Sequence, residues 1–126
     1  MKKMKIYKIH KMFEFEAGHY LPNYSGPSGC GGYHGHSYKL EVGLKGPADE
    51  KTGMVMDFGD LKRKVNEMII SKLDHSWLND IFGNPSAENM IGVIWDDLSQ
   101  AFEGKLYRLR LWETSGSYAE YDGEEV

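Results

Sequence analysis

Between Lys5 and His19 the odd-numbered positions Tyr7, Ile9, Phe13, Phe15 and Ala17 are mostly apolar, while Lys8, His10, Glu14 and Glu16 stand between them. A period of two is the pattern of a strand with one buried face. From His34 to Leu44 the same parity holds: Tyr38, Leu40, Val42 and Leu44 share one face and Lys39 and Glu41 the other. The segment between them, Gly26 to Gly35, is dense in glycine, so the two strands are expected to pair as an antiparallel hairpin across a shaped loop.

Farther along, Gly46 to Gly53 reads as a turn region and Met54 to Phe58 as a short extended piece that supplies a possible fourth strand around Val55. Leu61, Val65, Met68 and Ile69 recur at helical spacing, which predicts a helix from about Phe58 to Lys72. Asn84 reads as an N-cap with Pro85 at the first helical position, ahead of an apolar stripe of Met90, Ile91, Ile94, Leu98 and Phe102. Tyr107, Leu109 and Leu111 alternate with Arg108, Arg110 and Trp112 in a last strand ending near Thr114, and Asp122 to Val126 is an acidic, solvated tail. The expected architecture is α+β: an antiparallel four-stranded sheet with two helices packed on one face.

The 126 residues suit a single domain, residues 1–126, and no stretch approaches the roughly 18 apolar residues of a membrane span. With no long apolar segment near its start, the chain is expected to be cytoplasmic, with no membrane partner. Its net charge of −4 argues against a nucleic-acid backbone as partner. The lone cysteine, Cys30, excludes both an intrachain disulfide and a multi-cysteine zinc cluster.

Three histidines fall where the strand parity points inward. His19 shares the parity of Phe13, Phe15 and Ala17, and His34 and His36 share that of Tyr38 and Leu40. Side chains two apart on a strand project from one face, so His34 and His36 are candidate neighbouring metal ligands, joined by His19 from the paired strand. Three nitrogens around Zn²⁺ leave a fourth position for water or substrate, the pattern of catalytic zinc. Hydrogen-bonded core histidines are the plainer alternative. Cys30 precedes His34 by four residues in a glycine-rich stretch. A thiol beside a metal and a histidine has a lowered pKa and serves as base or nucleophile; as a fourth ligand it would close the site instead.

Asp74 and His75 lie just beyond the first helix, flanked by Leu73, Trp77 and Leu78. They read either as a helix-end arrangement or as an acid–base pair for the thiol. Glu113 has the parity of Leu109 and Leu111. It is either a strand-end acid in solvent or an acceptor for two parallel N–H bonds from an amidine-like edge of a pterin or guanine ring. Lys39, Arg108 and Arg110, the cations available for a phosphate, read first as solvated strand residues.

These residues resemble one family almost end to end. Phe15-Glu16-Ala17-Gly18-His19, Cys30 with His34-Gly35-His36, Gly53-Met54-Val55-Met56-Asp57-Phe58, Leu73-Asp74-His75 with Leu78-Asn79, Pro85 with Glu88-Asn89, and Trp112-Glu113-Thr114 follow the order and spacing of the 6-pyruvoyltetrahydropterin synthase and 6-carboxytetrahydropterin synthase family. The resemblance implies a T-fold (tunnelling fold), whose sheets are joined into a barrel by oligomerisation, with a homohexamer built as a dimer of trimers and active sites between subunits. It implies a zinc-dependent lyase acting on a pterin triphosphate, 7,8-dihydroneopterin triphosphate. His19, His34 and His36 would hold the metal, Cys30, Asp74 and His75 would be catalytic, and Glu113, Ser86 and Glu88 would bind substrate.

Ala87 stands where family members often carry a second hydroxyl, and Gly18 and Tyr20 replace commoner choices. Three residues between Cys30 and His34 resemble the carboxy enzymes, which release acetaldehyde and feed queuosine and other deazapurines; the pyruvoyl enzymes usually have a longer gap. A zinc-stabilised module that only binds a pterin or purine is an alternative of another class. A relative that hydrolyses or cyclises a purine nucleotide is a third.

Overall fold

The computed structural model describes residues 3–22 and 34–126, with His34 described by its backbone alone; Cys30 lies outside them. Strands β1 (Tyr7–His19) and β2 (His34–Gly46) form the expected hairpin, in a register that sets Phe15 against Tyr38, Ala17 against His36 and His19 against His34. Then follow α1 (Phe58–Val65), a π-helical turn (Asn66–Ile70), α2 (Ser71–Leu73), β3 (Ser76–Trp77), α3 (Asn79–Phe82), α4 (Ala87–Ala101), β4 (Leu106–Thr114) and β5 (Ser117–Tyr121). One five-stranded sheet results, in the order β3-β1-β2-β4-β5. All pairs are antiparallel except β3, which runs parallel to Ala17 and Gly18 of β1.

The expected four-stranded antiparallel sheet is therefore a five-stranded mixed one. The strand expected around Val55 is absent because its backbone is occupied elsewhere. The Met54 carbonyl accepts from the Asp49 amide at 2.9 Å, and the Val55 carbonyl accepts from Lys105 Nζ at 3.0 Å, so neither enters a ladder. In its place β4 turns back on itself through Gly116, and β5 pairs Tyr118 with Trp112 and Glu120 with Arg110.

Parity works as expected. Phe13, Phe15, Tyr38, Leu40, Val42, Leu44, Leu109 and Leu111 are buried on one face of the sheet, beneath Leu61, Val65, Ile69 and Leu73 of the first helical segment and Met90, Ile91, Ile94 and Leu98 of α4. Leu61, Val65, Ile69 and Leu73 are spaced by four. Four residues advance an α-helix by about 400°, so such a row drifts by about 40° at each step. The π-helical turn, with more residues in its turn, offsets this drift and keeps all four on the sheet.

The cap of α4 differs from the sequence expectation. Ser86, not Asn84, is the N-cap, and its Oγ accepts from the Asn89 amide at 3.1 Å. Asn84 contributes its carbonyl, which accepts from Asn89 Nδ2 at 3.0 Å.

On the face turned away from the helices, charges pair with one another: Lys39 with Glu14, Arg108 with Glu41 and Glu120, and Arg110 with Glu120. Gly43 lies under this layer. A Cβ there would stand 2.8 Å from a ring carbon of Tyr107, so the ring's position across β2 requires bare backbone. Among the described residues no helix is long and apolar enough to cross a membrane.

Candidate metal centre and adjoining cleft

The buried face of the sheet ends in polar groups where β1 stops, β2 begins and β4 finishes. His19 closes β1 and is fully buried. His36 is diagonal to it on β2, with the two imidazole centroids 5.1 Å apart and the ring planes inclined by 29°. Glu113, two residues beyond Leu111, arrives on the same face from β4. One nitrogen from each histidine and a Glu113 oxygen all lie within 4.8 Å of one another. Imidazole nitrogens suit Zn²⁺, so the two described histidines fit that ion, with the Glu113 carboxylate beside them.

Of the three histidines expected at the metal, the structure thus brings His19 and His36 together and adds Glu113, while the backbone of His34 stands in register opposite His19. Glu113, expected either as a strand-end acid in solvent or as an anchor for a pterin-like ring edge, lies beside the imidazoles. The parity that turned it inward was legible in the sequence; the diagonal reach across β2 to β1 was not.

Hydrogen bonds hold the end of β1. Tyr38 Oη lies 2.8 Å from His19 Nδ1, with both residues fully buried. Just beyond, Asn79 Oδ1 accepts from the Tyr20 amide and its Nδ2 donates to the Tyr20 carbonyl, each at 2.9 Å. The Leu78 amide donates to the Gly18 carbonyl at 2.8 Å. Tyr38 and Asn79 are residues that sequence reasoning left without a role. Their only signals were core parity for the first and the Leu78-Asn79 pair for the second.

A cleft of about 450 Å³ opens beside the cluster, lined among others by Leu21, Ser86, Glu88, Leu111 and Glu113. All three substrate-binding candidates, Glu113, Ser86 and Glu88, therefore share one cavity, and Glu113 belongs to both cavity and cluster. Glu120 also lines it and is held by Arg110 Nε at 2.6 Å, a contact that raises the guanidinium pKa. Ser86 Oγ spends an acceptor site on the helix cap, and its hydroxyl hydrogen remains to donate to a ligand.

Asp74 and His75 lie elsewhere. Asp74 Oδ1 accepts from the Glu16 amide at 2.9 Å, and the His75 amide donates to the Glu16 carbonyl. The pair is fixed to the edge of β1 beside β3 and is not part of the cleft lining. The His75 imidazole stands 3.5 Å from the Asp74 carboxylate and is largely exposed, with φ of 59°, a left-handed backbone that costs a non-glycine residue energy. Cys30, the candidate thiol, is outside the described residues.

Comparison with known proteins gives a consistent result. A family model described as 6-pyruvoyl tetrahydropterin synthase matches residues 8–124. The chain is 38% identical over 120 residues to the 6-carboxy-5,6,7,8-tetrahydropterin synthase of Synechocystis sp., covering 90% of this chain and 91% of that one. It is also 38% identical over 108 residues to the 6-pyruvoyl tetrahydrobiopterin synthase of Pongo abelii, covering 79% and 70%. Among solved structures, the 6-pyruvoyl tetrahydropterin synthase of Caenorhabditis elegans superimposes with a TM-score of 0.84 at 26% identity, over 98% of this chain and 100% of that one.

Proposed function

The chain belongs to the 6-pyruvoyl tetrahydropterin synthase family, and from that premise we propose that it is a 6-carboxy-5,6,7,8-tetrahydropterin synthase. It would convert 7,8-dihydroneopterin triphosphate and water to 6-carboxytetrahydropterin, acetaldehyde and triphosphate. The observation that carries this reading is the continuity of His19, His36 and Glu113 with a cleft that also holds Ser86 and Glu88.

His19, His34 and His36 are the residues that would hold zinc. When bound, the ion supplies Lewis-acid polarisation of the substrate's side-chain hydroxyls, the effect that lowers the pKa of zinc-bound water to about 7. Glu113 accepts parallel N–H bonds from the amidine-like edge of the pterin, orienting the ring and rejecting rings that lack those donors. Ser86 donates its hydroxyl hydrogen and Glu88 lines the same wall. Cys30, as thiolate, removes a proton from the substrate side chain, and His75, oriented by Asp74, returns one.

In this reading the active site is composite. The Asp74–His75 pair sits on the β1 edge rather than in its own chain's cleft, which supports its serving the cleft of a neighbouring subunit. β5 on one side and β1 beyond the two-residue β3 on the other are the edges through which sheets of separate chains would join into a barrel. A homohexamer in the cytoplasm is the corresponding assembly and location.

The second reading is 6-pyruvoyltetrahydropterin synthesis, favoured by the similarity to the Pongo abelii protein. The three-residue spacing between Cys30 and His34 supports the carboxy reaction. The deciding experiment incubates zinc-loaded protein with 7,8-dihydroneopterin triphosphate and identifies the products by mass. Carboxytetrahydropterin with acetaldehyde is the expected result. A pyruvoyl pterin would establish the second reading. No turnover, with zinc and folding lost in Cys30→Ala, would establish a zinc-stabilised binding module.

A further inference from the structure

We propose that Tyr38 is the positioning residue that fixes His19 in the ring orientation and tautomer presenting Nε2 to the metal position. The inference rests on the metal-centre reading above and deepens it. Tyr38 lies two residues beyond His36 on β2, and its Oη is 2.8 Å from His19 Nδ1. Both side chains are fully buried, so the hydroxyl is not readily replaced by solvent.

The tyrosine is itself held rigidly. Its ring stacks on Phe15, the residue opposite it in the hairpin register, with centroids 4.9 Å apart and planes inclined by 6°. It also meets His36 edge-on, with centroids 5.6 Å apart and planes at 76°. One side chain thus touches both described imidazoles of the centre.

A neutral imidazole carries one N–H and one lone pair, and a metal takes the lone pair. When His19 Nδ1–H donates to Tyr38 Oη, the lone pair lies on Nε2, the other ring nitrogen. The reverse arrangement, with Tyr38 donating to Nδ1, puts the hydrogen on Nε2 and blocks it. Ligating histidines owe their tautomer and orientation to such a partner on the second nitrogen, and loss of that partner typically weakens metal binding 10–100-fold. Tyr38→Phe removes the hydroxyl while keeping the ring that packs on Phe15.

The test uses the full chain, wild type and Tyr38→Phe. Zinc affinity is measured by chelator competition, thermal unfolding without metal, and the His19 tautomer by ¹⁵N imidazole NMR of the metal-free protein. The expected results are zinc binding weakened 10–100-fold in Tyr38→Phe and an Nδ1–H tautomer for His19 in the wild type. Equal zinc affinity in a folded Tyr38→Phe protein overturns the inference while leaving the metal centre standing. An Nε2–H tautomer in the wild type also overturns it, and decides the matter by itself should the variant not fold. Failure of the wild type to bind zinc overturns the metal-centre reading and this inference together.

Discussion

The Glu16 amide donates to the Asp74 carboxylate at 2.9 Å, and this bond, with the His75 amide on the Glu16 carbonyl, ties the acid–base candidates to β1 three residues before His19. The side chain of Glu16 points to the sheet face opposite His19, where Ser37 Oγ donates to its carboxylate at 2.7 Å. His19 and the acid–base candidates are therefore anchored on one strand, His19 at its buried end and the pair along its edge.

His75 holds a left-handed backbone, so His75→Gly is expected to stabilise the fold by about 0.5–1 kcal/mol, the relief of the αL cost less the added chain entropy of glycine. Turnover should fall by about 10²–10⁴-fold, the usual contribution of a positioned acid or base. Urea unfolding and steady-state kinetics on the same preparation check both halves. Loss of stability together with full activity would sink the assignment.

Glu113→Gln should retain zinc and lower kcat/KM by roughly 10- to 100-fold, since one of the two acceptor oxygens is replaced by an NH2 donor that faces a ring N–H and the remaining bond loses its charge assistance. Metal analysis and kinetics measured together make the check. A variant that loses zinc would make Glu113 a ligand rather than an anchor.

Ser86 has two duties that mutation can separate. Ser86→Ala should cost about 1 kcal/mol of stability through the lost cap and should also raise KM. Ser86→Asp restores a good cap but has no hydrogen to donate, so stability should return while KM stays high. Equal KM values in all three proteins would leave Ser86 with the cap alone.

Asp49 gives the fold an acid-side dependence. Its carboxylate accepts from the amides of Thr52 at 2.9 Å and Lys51 at 2.8 Å, which hold its pKa below the usual 3.8. A folded pKa below the unfolded one adds stability that is complete above the unfolded value and is lost as pH falls through the folded one. Asp49→Ala should melt below the wild type near neutrality, and the gap should close as the pH is taken below 3.8. A gap independent of pH would show that the turn's shape, not the charge, is what matters.

Much of the fold was legible because parity is a rigid code. Tyr38, Leu40, Val42 and Leu44 had to share a face once β2 was recognised, and the nearness of His19 and His36 followed from the same count. What escaped depended on bonds made across long separations. Nothing local marks Ser76 and Trp77 as a strand until β1 offers Ala17 and Gly18, and β5 has only the short, partly exposed run Ser117–Tyr121. The Val55 strand failed because Asp49 and Lys105 took its neighbourhood's acceptors, partners 5 and 50 residues away in sequence from Met54 and Val55. At the site, residue types pointed to metal and acid–base chemistry, but Glu113 meeting the imidazoles across the sheet is a matter of tertiary distance.

The wide turn at Asn66–Ile70 makes the chain count residues as well as choose them. Taking one out would spin everything downstream by about 100° around the helix axis, turning Leu73 from the interior and carrying Asp74 and His75 off the rim of β1. Sequence length between Val65 and Leu73 is thus a gauge for where Asp74 and His75 sit against β1, and shortening it would displace the pair without altering either residue.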